Sequence, residues 1–314
     1  MKKAVLASVV AAVMSGSVMA AEIYNSDGTS LKIGGRAEAR FNVSDNNEVD
    51  GNSSFEDKSR ARLNIKGKTK VSDELYGFGK YEAEFDGKSD LTNRYFFAGI
   101  GTNFGEFSYG KQDSAQVMLT DFTDTMATFG AASDDAIGDA IAGGKDKRTN
   151  NFLYSGEFNN LTIQANYLAN DEKDTDSYGI AAMYSFGSFD LGAGYVYQDI
   201  DADTDANLFN IAGQFKLDAF TLGALVQLAS GDDDDVTAYE LSAQYKPMKQ
   251  LTLVAVYNYA ELDPSSGSKE DVVDEIAIEA VYKFNSHIRT YAGYKFQQID
   301  DSDDELQAGI RYDF

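Results

Sequence analysis

Glu305-Leu-Gln-Ala-Gly-Ile-Arg-Tyr-Asp-Phe314, the end of the chain, alternates without a break: Leu306, Ala308, Ile310, Tyr312 and Phe314 share one face, and Glu305, Gln307, Gly309, Arg311 and Asp313 the other. Successive side chains of a strand point to opposite sides, so this segment is a strand with one apolar and one polar face. Leu251 to Tyr259 repeats the pattern, with Leu251, Leu253, Ala255, Tyr257 and Tyr259 on one side. In Ser59 to Lys70, Ala61, Leu63 and Ile65 oppose Arg60, Arg62, Asn64, Lys66, Lys68 and Lys70. Working outward from these, strand-like segments fall near 31–43, 59–70, 74–86, 92–102, 104–112, 149–158, 160–170, 175–186, 188–200, 206–217, 219–229, 236–247, 250–262, 272–284, 287–299 and 304–314, sixteen in all.

A soluble sandwich alternates too, and the connections separate the two cases. Every second join is a tight turn: Val71-Ser-Asp73, Thr102-Asn-Phe104, Phe158-Asn-Asn160, Phe186-Gly-Ser188, Leu217-Asp-Ala219, Pro247-Met-Lys249 and Phe284-Asn-Ser286. The joins between them are longer and acidic, as at 44–58, 170–176, 199–205, 231–235, 263–271 and 300–305. An even number of strands with short turns at one end and long loops at the other predicts an all-β fold, a 16-stranded antiparallel transmembrane β-barrel. A closed ladder satisfies its own backbone, so it crosses lipid without any long apolar run and leaves no edge for proline. The two prolines in 314 residues and the mean hydropathy of −0.36 agree with such a wall around a polar lumen. Phe104, Phe107, Phe158, Phe186, Phe189, Phe215, Phe220 and Phe284 cluster beside the tight turns, as an interfacial girdle would.

Composition excludes several classes. Without Cys there is no disulfide scaffold and no thiolate metal site. With 51 acids against 27 basic residues and a formal charge of −24, the chain is a poor partner for nucleic acid. Residues 1–20 read as a signal peptide: Lys2 and Lys3, an apolar run from Ala4 to Val13, and small residues ending in Val18-Met19-Ala20. The predicted mature unit is 21–314.

Ala21-Glu-Ile-Tyr-Asn-Ser-Asp-Gly28, Arg62-Leu-Asn-Ile-Lys-Gly-Lys-Thr69, Arg94-Tyr-Phe-Phe-Ala-Gly99, Phe107-Ser-Tyr-Gly-Lys111 and Tyr312-Asp-Phe314 together resemble the general porins of Gram-negative outer membranes, the OmpC/OmpF type. The resemblance runs the length of the mature chain and is strongest over 21–130 and at the C-terminus. It implies a homotrimer in the outer membrane that passes ions and small hydrophilic solutes passively. It also implies that Phe314 with Tyr312 is the signal read by the barrel-assembly machinery. The join 113–149 is too long for a structureless surface loop, and in the family the third loop folds into the barrel as a constriction. By motif, Arg36, Arg62, Arg94 and Arg148 match the family's basic wall, and Asp124 matches its loop aspartate. Where the family reads Pro-Glu-Phe-Gly-Gly, this chain has Ala127-Thr-Phe-Gly-Ala131, so Thr128 replaces the glutamate. Asp121, Asp134 or Asp135 would have to supply the missing charge.

Independently of the family, Arg60, Arg62, Lys66, Lys68 and Lys70 share the non-lipid face of one strand, because charge at mid-depth on the lipid face costs about 2–4 kcal/mol each. The acidic joins 170–176, 199–205, 232–235, 263–275 and 300–305 hold twenty-two acids against Lys173 and Lys269. A rim so charged attracts cations and offers carboxylates for divalent bridging to lipopolysaccharide. Asp201 to Asn207 is no EF-hand, since Ala206 and Ala212 stand where Gly and Glu are needed. No cofactor or metal is expected. Two rival classes remain: a barrel enzyme, protease or phospholipase, using the single His287, and a structural or adhesin barrel. The lone His with no Ser-His-Asp grouping argues against the first, and a charged inserted loop against the second.

Overall fold

The computed structural model describes residues 20–87, 91–231 and 234–314. All of the expected signal peptide except Ala20 lies outside the described residues, as do Asp232 and Asp233 of one acidic join. Strands β1 (Ala21–Ser26), β2 (Thr29–Val43), β3 (Phe55–Asp57), β4 (Arg60–Lys70), β5 (Leu75–Phe85), β6 (Leu91–Thr102) and β7 (Gly105–Gln112) precede two helices, α1 (Val117–Thr120) and α2 (Ala132–Ala140). After the helices come β8 (Arg148–Phe158), β9 (Leu161–Leu168), β10 (Ser177–Ser185), β11 (Phe189–Asp199), β12 (Asp205–Leu217) and β13 (Phe220–Gly231). The chain finishes with β14 (Asp234–Met248), β15 (Leu251–Pro264), β16 (Glu270–Lys283), β17 (Ile288–Gln297) and β18 (Glu305–Asp313).

Each strand from β4 to β18 pairs antiparallel with the next, and β2 closes the ring by pairing with β4 on one side and β18 on the other. Sixteen strands therefore form the wall. The two further strands are extensions. β3 continues the line of β4 along β2, and β1 continues the line of β18. The sequence pattern missed β1, which folds back through the left-handed pair Asp27 (φ 52°) and Gly28 (φ 74°), the conformation a two-residue hairpin turn requires. Beside it Phe314 is stitched to β2 by two bonds, Gly35 N donating to its carbonyl at 2.9 Å and its own N–H to that of Gly35 at 3.0 Å.

The outer face is apolar and bare in the isolated chain: Leu222, Leu241, Ile211, Ile276 and Ile278 are all exposed. Water would not tolerate such a surface, whereas lipid matches it. All eight phenylalanines of the expected girdle are exposed as well. Two expected loops are shorter than the sequence suggests. β15 runs to Pro264 and β16 starts at Glu270, while β13 and β14 flank only residues 232–233. Acidic side chains here stay in the ladder because they have partners: Tyr259 donates to Asp271 at 2.6 Å, and Lys269 bridges Glu261 (2.6 Å) and Asp263 (3.2 Å).

The long join between β7 and β8 enters the barrel. Its apolar residues form two small cores against the inner wall. Ile137 and Ile141 pack with Val196, Leu208, Val236 and Ala260, while Met118, Leu119 and Phe122 pack with Ala181, Ala212 and Leu225. Those wall residues sit on lumen faces, so strands β10 to β15 are apolar on both sides where the loop covers them.

Candidate pore constriction

Register places the basic wall. Arg36 of β2 lies opposite Arg62 of β4, which lies opposite Glu84 of β5. Directly opposed like charges repel, and carboxylates on the same wall offset this. Glu38 meets Arg60 at 2.6 Å and Arg36 at 3.5 Å, and Glu84 pairs with Arg62 and, at 3.8 Å, with Arg60 and Arg94. The interleaved acids Glu38, Glu82 and Glu84 were not foreseen from the sequence, although two of them alternate in plain view on β5.

Arg94 reaches this wall by a local irregularity. Simple alternation would put it on the face of Phe96, which is exposed to lipid. The β5–β6 register shifts between Glu82 and Ala83, so that Glu82 faces Tyr95, Ala83 faces Asn93, and Arg94 is the extra residue. Such a bulge re-aims a side chain, and Arg94 points inward to Glu82 at 2.9 Å. Arg148 stands apart. It lies opposite Gln112 after a second register shift, and its buried Nε has no hydrogen-bond partner. The structure thus brings Arg36, Arg60, Arg62 and Arg94 together and leaves Arg148 outside their network.

On the loop, Asp113 accepts from the Tyr95 hydroxyl at 2.9 Å and from Lys147 N at 3.1 Å, which ties the loop's entry and exit to β6. Asp121 closes α1, and Asp124 is open to the lumen. Burial and the neighbouring Asp124 and Asp113 push the Asp121 carboxyl up to about 8. Asp134, in the first turn of α2, accepts from Gln227 at 3.0 Å and is pushed up to about 7 by burial and by Glu240. Asp135 is exposed on the same turn. Lys147, absent from the sequence reading, stands between the two sides: its charged neighbours include Arg94 and Arg62 as well as Asp113 and Asp124. Its backbone is left-handed at φ 53°, its side chain pairs with Asp146, and burial with the adjacent Arg94 lowers its ammonium to about 8.

The loop is held by wall carboxylates. Glu279 accepts from Ala127 N (2.9 Å), Thr128 N (2.7 Å) and the Thr128 hydroxyl (2.8 Å). Thr128 therefore faces the wall and anchors the loop. Glu240 accepts from the hydroxyls of Thr123 and Ser133, both at 2.5 Å, and Gln116 donates to the carbonyls of Ile180 and Tyr195. Glycine makes the seat possible. A Cβ at Gly223 would stand 2.1 Å from the Phe122 carbonyl, and one at Gly194 2.2 Å from Gln116. His287 lies far from this region in the chain's ladder, at a tight turn, with Nδ1 2.8 Å from the Asp313 carbonyl.

A barrel with an apolar outer face, a charged lumen and an inserted loop defines the class of outer-membrane diffusion channels. Comparison with known proteins is consistent throughout. The family model described as Gram-negative porin matches residues 7–302. Porin-like protein L of Photobacterium profundum is 36% identical over 346 residues, covering 100% of this chain and 99% of that protein. Among solved structures, Salmonella typhi OmpF in complex with daunomycin superposes with a TM-score of 0.82 at 20% identity over 94% of this chain and all of that one. OmpT of Vibrio cholerae in its trimer form gives 0.78 at 20% identity over 92% of this chain and all of that one. The chain belongs to the Gram-negative porin family and is a β-barrel channel of the outer membrane.

Proposed function

We propose that the channel is a passive diffusion pore of weak cation preference, filtered where the inserted loop faces the arginine wall. The observation that carries this reading is the arginine wall, Arg62 and Arg94 held by Glu84 and Glu82, beside a loop whose entry and exit are tied to that wall through Asp113, which accepts from Tyr95 at 2.9 Å and from Lys147 N at 3.1 Å. Opposed charges across a water-filled opening orient dipolar solutes and bias which ion passes. In this reading Arg36, Arg62 and Arg94 form the basic side and Arg148 a separate cation beyond it. Asp124 and Asp121 form the acidic side, supplemented by Asp134 and Asp135. The acidic outer rim concentrates cations at the mouth and offers carboxylates for divalent bridging to lipopolysaccharide.

The same proposal includes cleavage of residues 1–20, a mature barrel of 21–314, and recognition of Tyr312 and Phe314 during assembly. The exposed aromatic pair, with ring centroids 6.3 Å apart, supports that last role. A homotrimer is supported by the trimer form of Vibrio cholerae OmpT. The protein acts as a channel rather than as an enzyme and needs no cofactor. Reversal potential in a planar bilayer under a KCl gradient tests the ion preference: a cation-selective sign is expected, and an anion-selective sign overturns it. Insertion in three equal conductance steps tests the trimer.

A further inference from the structure

Below the proposed constriction, or eyelet, toward the tight turns, the same wall carries a second pattern. Lys32 of β2, Lys66 of β4 and Lys80 of β5 stand in one cross-strand row, all on the lumen face. The row lies four residues along the strand from Arg36 and Arg62, about 14 Å. Like charges set directly opposite one another destabilise a sheet, so three in a row need a reason. Acids offset them in part: Lys80 lies 3.7 Å from Glu82, which also serves Arg94, and Lys32 lies 3.9 Å from Glu22. From Lys32 up to Arg60 the wall still holds more cations than carboxylates.

Beside the lysines is a patch of rings inside a polar lumen. Phe78 follows Lys80 on the inward face of β5, and Phe97 lies opposite Lys80 on β6. Their centroids are 6.4 Å apart, edge to face. Phe78 lies against Gly99, where a Cβ would come within 2.7 Å of its ring. Gly99 thus leaves room for the tip of the Phe78 ring on the lumen wall. Both rings are half-buried, with part of each reaching the lumen. Apolar ring faces kept in water next to a row of ammonium groups match a solute with an arene at one end and an anion at the other.

We propose that Lys32, Lys66, Phe78 and Phe97 form a subsite on the periplasmic side of the eyelet for small aromatic acids, an arene bearing a carboxylate or phosphate. The ring stacks on the phenylalanines while the anion lies against the lysines. The subsite rests on the channel reading, and KCl conductance reports that reading by itself. The test uses the full mature porin in a planar bilayer with 1-naphthyl phosphate as the probe, added from either side while single-channel current is recorded. Transient blockades are expected, shortened about fivefold by Lys66→Gln and about tenfold by Phe78→Ala, with KCl conductance near that of the parent. Inorganic phosphate, lacking the ring, and 1-naphthylmethylamine, carrying the opposite charge, should block at least fivefold more briefly. Normal KCl conductance without blockades overturns the subsite, and so do equal dwell times in both variants. Equally long blockades by either control molecule overturn it as well.

Discussion

Two walls of one barrel carry opposite assignments. Along β2 to β6 the inner face is open and charged, with Arg36, Arg62 and Arg94 held by Glu38, Glu82 and Glu84. Along β10 to β16 it is covered, with Leu208, Leu225 and Val196 buried under the loop and Glu240 and Glu279 turned into anchors. The same carboxylate type therefore does two jobs. On the open wall it tempers arginine charge, and on the covered wall it satisfies the loop's N–H and O–H groups. The comparison teaches that the proposed filter would depend on both walls: one supplies charge, and the other fixes the position of the charge it faces.

Breaking the covered wall should have the largest effect. Glu240→Ala with Glu279→Ala removes the acceptors for six loop donors, and hydrogen bonds to charged groups contribute about 1.5–3 kcal/mol each. Conductance should rise and become noisy as the loop leaves its seat, while the barrel persists. Gly223→Val attacks the same seat sterically, since its side chain would meet the Phe122 carbonyl, and should raise conductance in the same direction. A quiet, parental single-channel trace for both variants would mean that the loop is held elsewhere.

The pH response sharpens the comparison. Raising pH from 6.5 to 9 ionises Asp134 and Asp121, whose carboxyls are raised to about 7 and about 8, and neutralises Lys147, whose ammonium is lowered to about 8. Both changes add negative charge at the eyelet, so cation preference should grow between pH 6.5 and 9. A unit charge a few ångströms from a permeant ion in water is worth about 1 kcal/mol, which limits the share of each titrating group to about fivefold. Asp121→Asn and Lys147→Gln should each flatten the response by about a third, the remainder falling to Asp134. Thr128→Val, which removes one of three bonds to Glu279, should cost about 1.5–3 kcal/mol of loop anchoring and, with the other two bonds kept, leave conductance nearly unchanged.

Much of this was legible in the sequence, for identifiable reasons. Period-two alternation and the strict sequence of short and long joins mark sixteen strands and their orientation, because lipid and lumen impose different chemistry on the two faces. Alternation failed where one wall contacts protein instead of water: the covered strands are apolar on both sides, and only the inserted loop explains Leu208 or Leu225. It also failed at Arg94, since a bulge inverts the face and leaves no mark in the residue pattern. Motif resemblance placed that arginine where periodicity would have sent it into lipid. Lys147 was missed because its direction is set by a left-handed backbone at the loop exit. The motif comparison marks Thr128 as lost loop charge, whereas in the structure its hydroxyl anchors the loop to Glu279.

The most direct test compares reversal potential and conductance in a KCl gradient for the parent, Arg62→Ala with Arg94→Ala, and Asp124→Asn. Loss of the two arginines should enlarge the pore and move selectivity toward cations, while Asp124→Asn should move it toward anions. Unchanged values in both would show that the constriction lies elsewhere in the lumen.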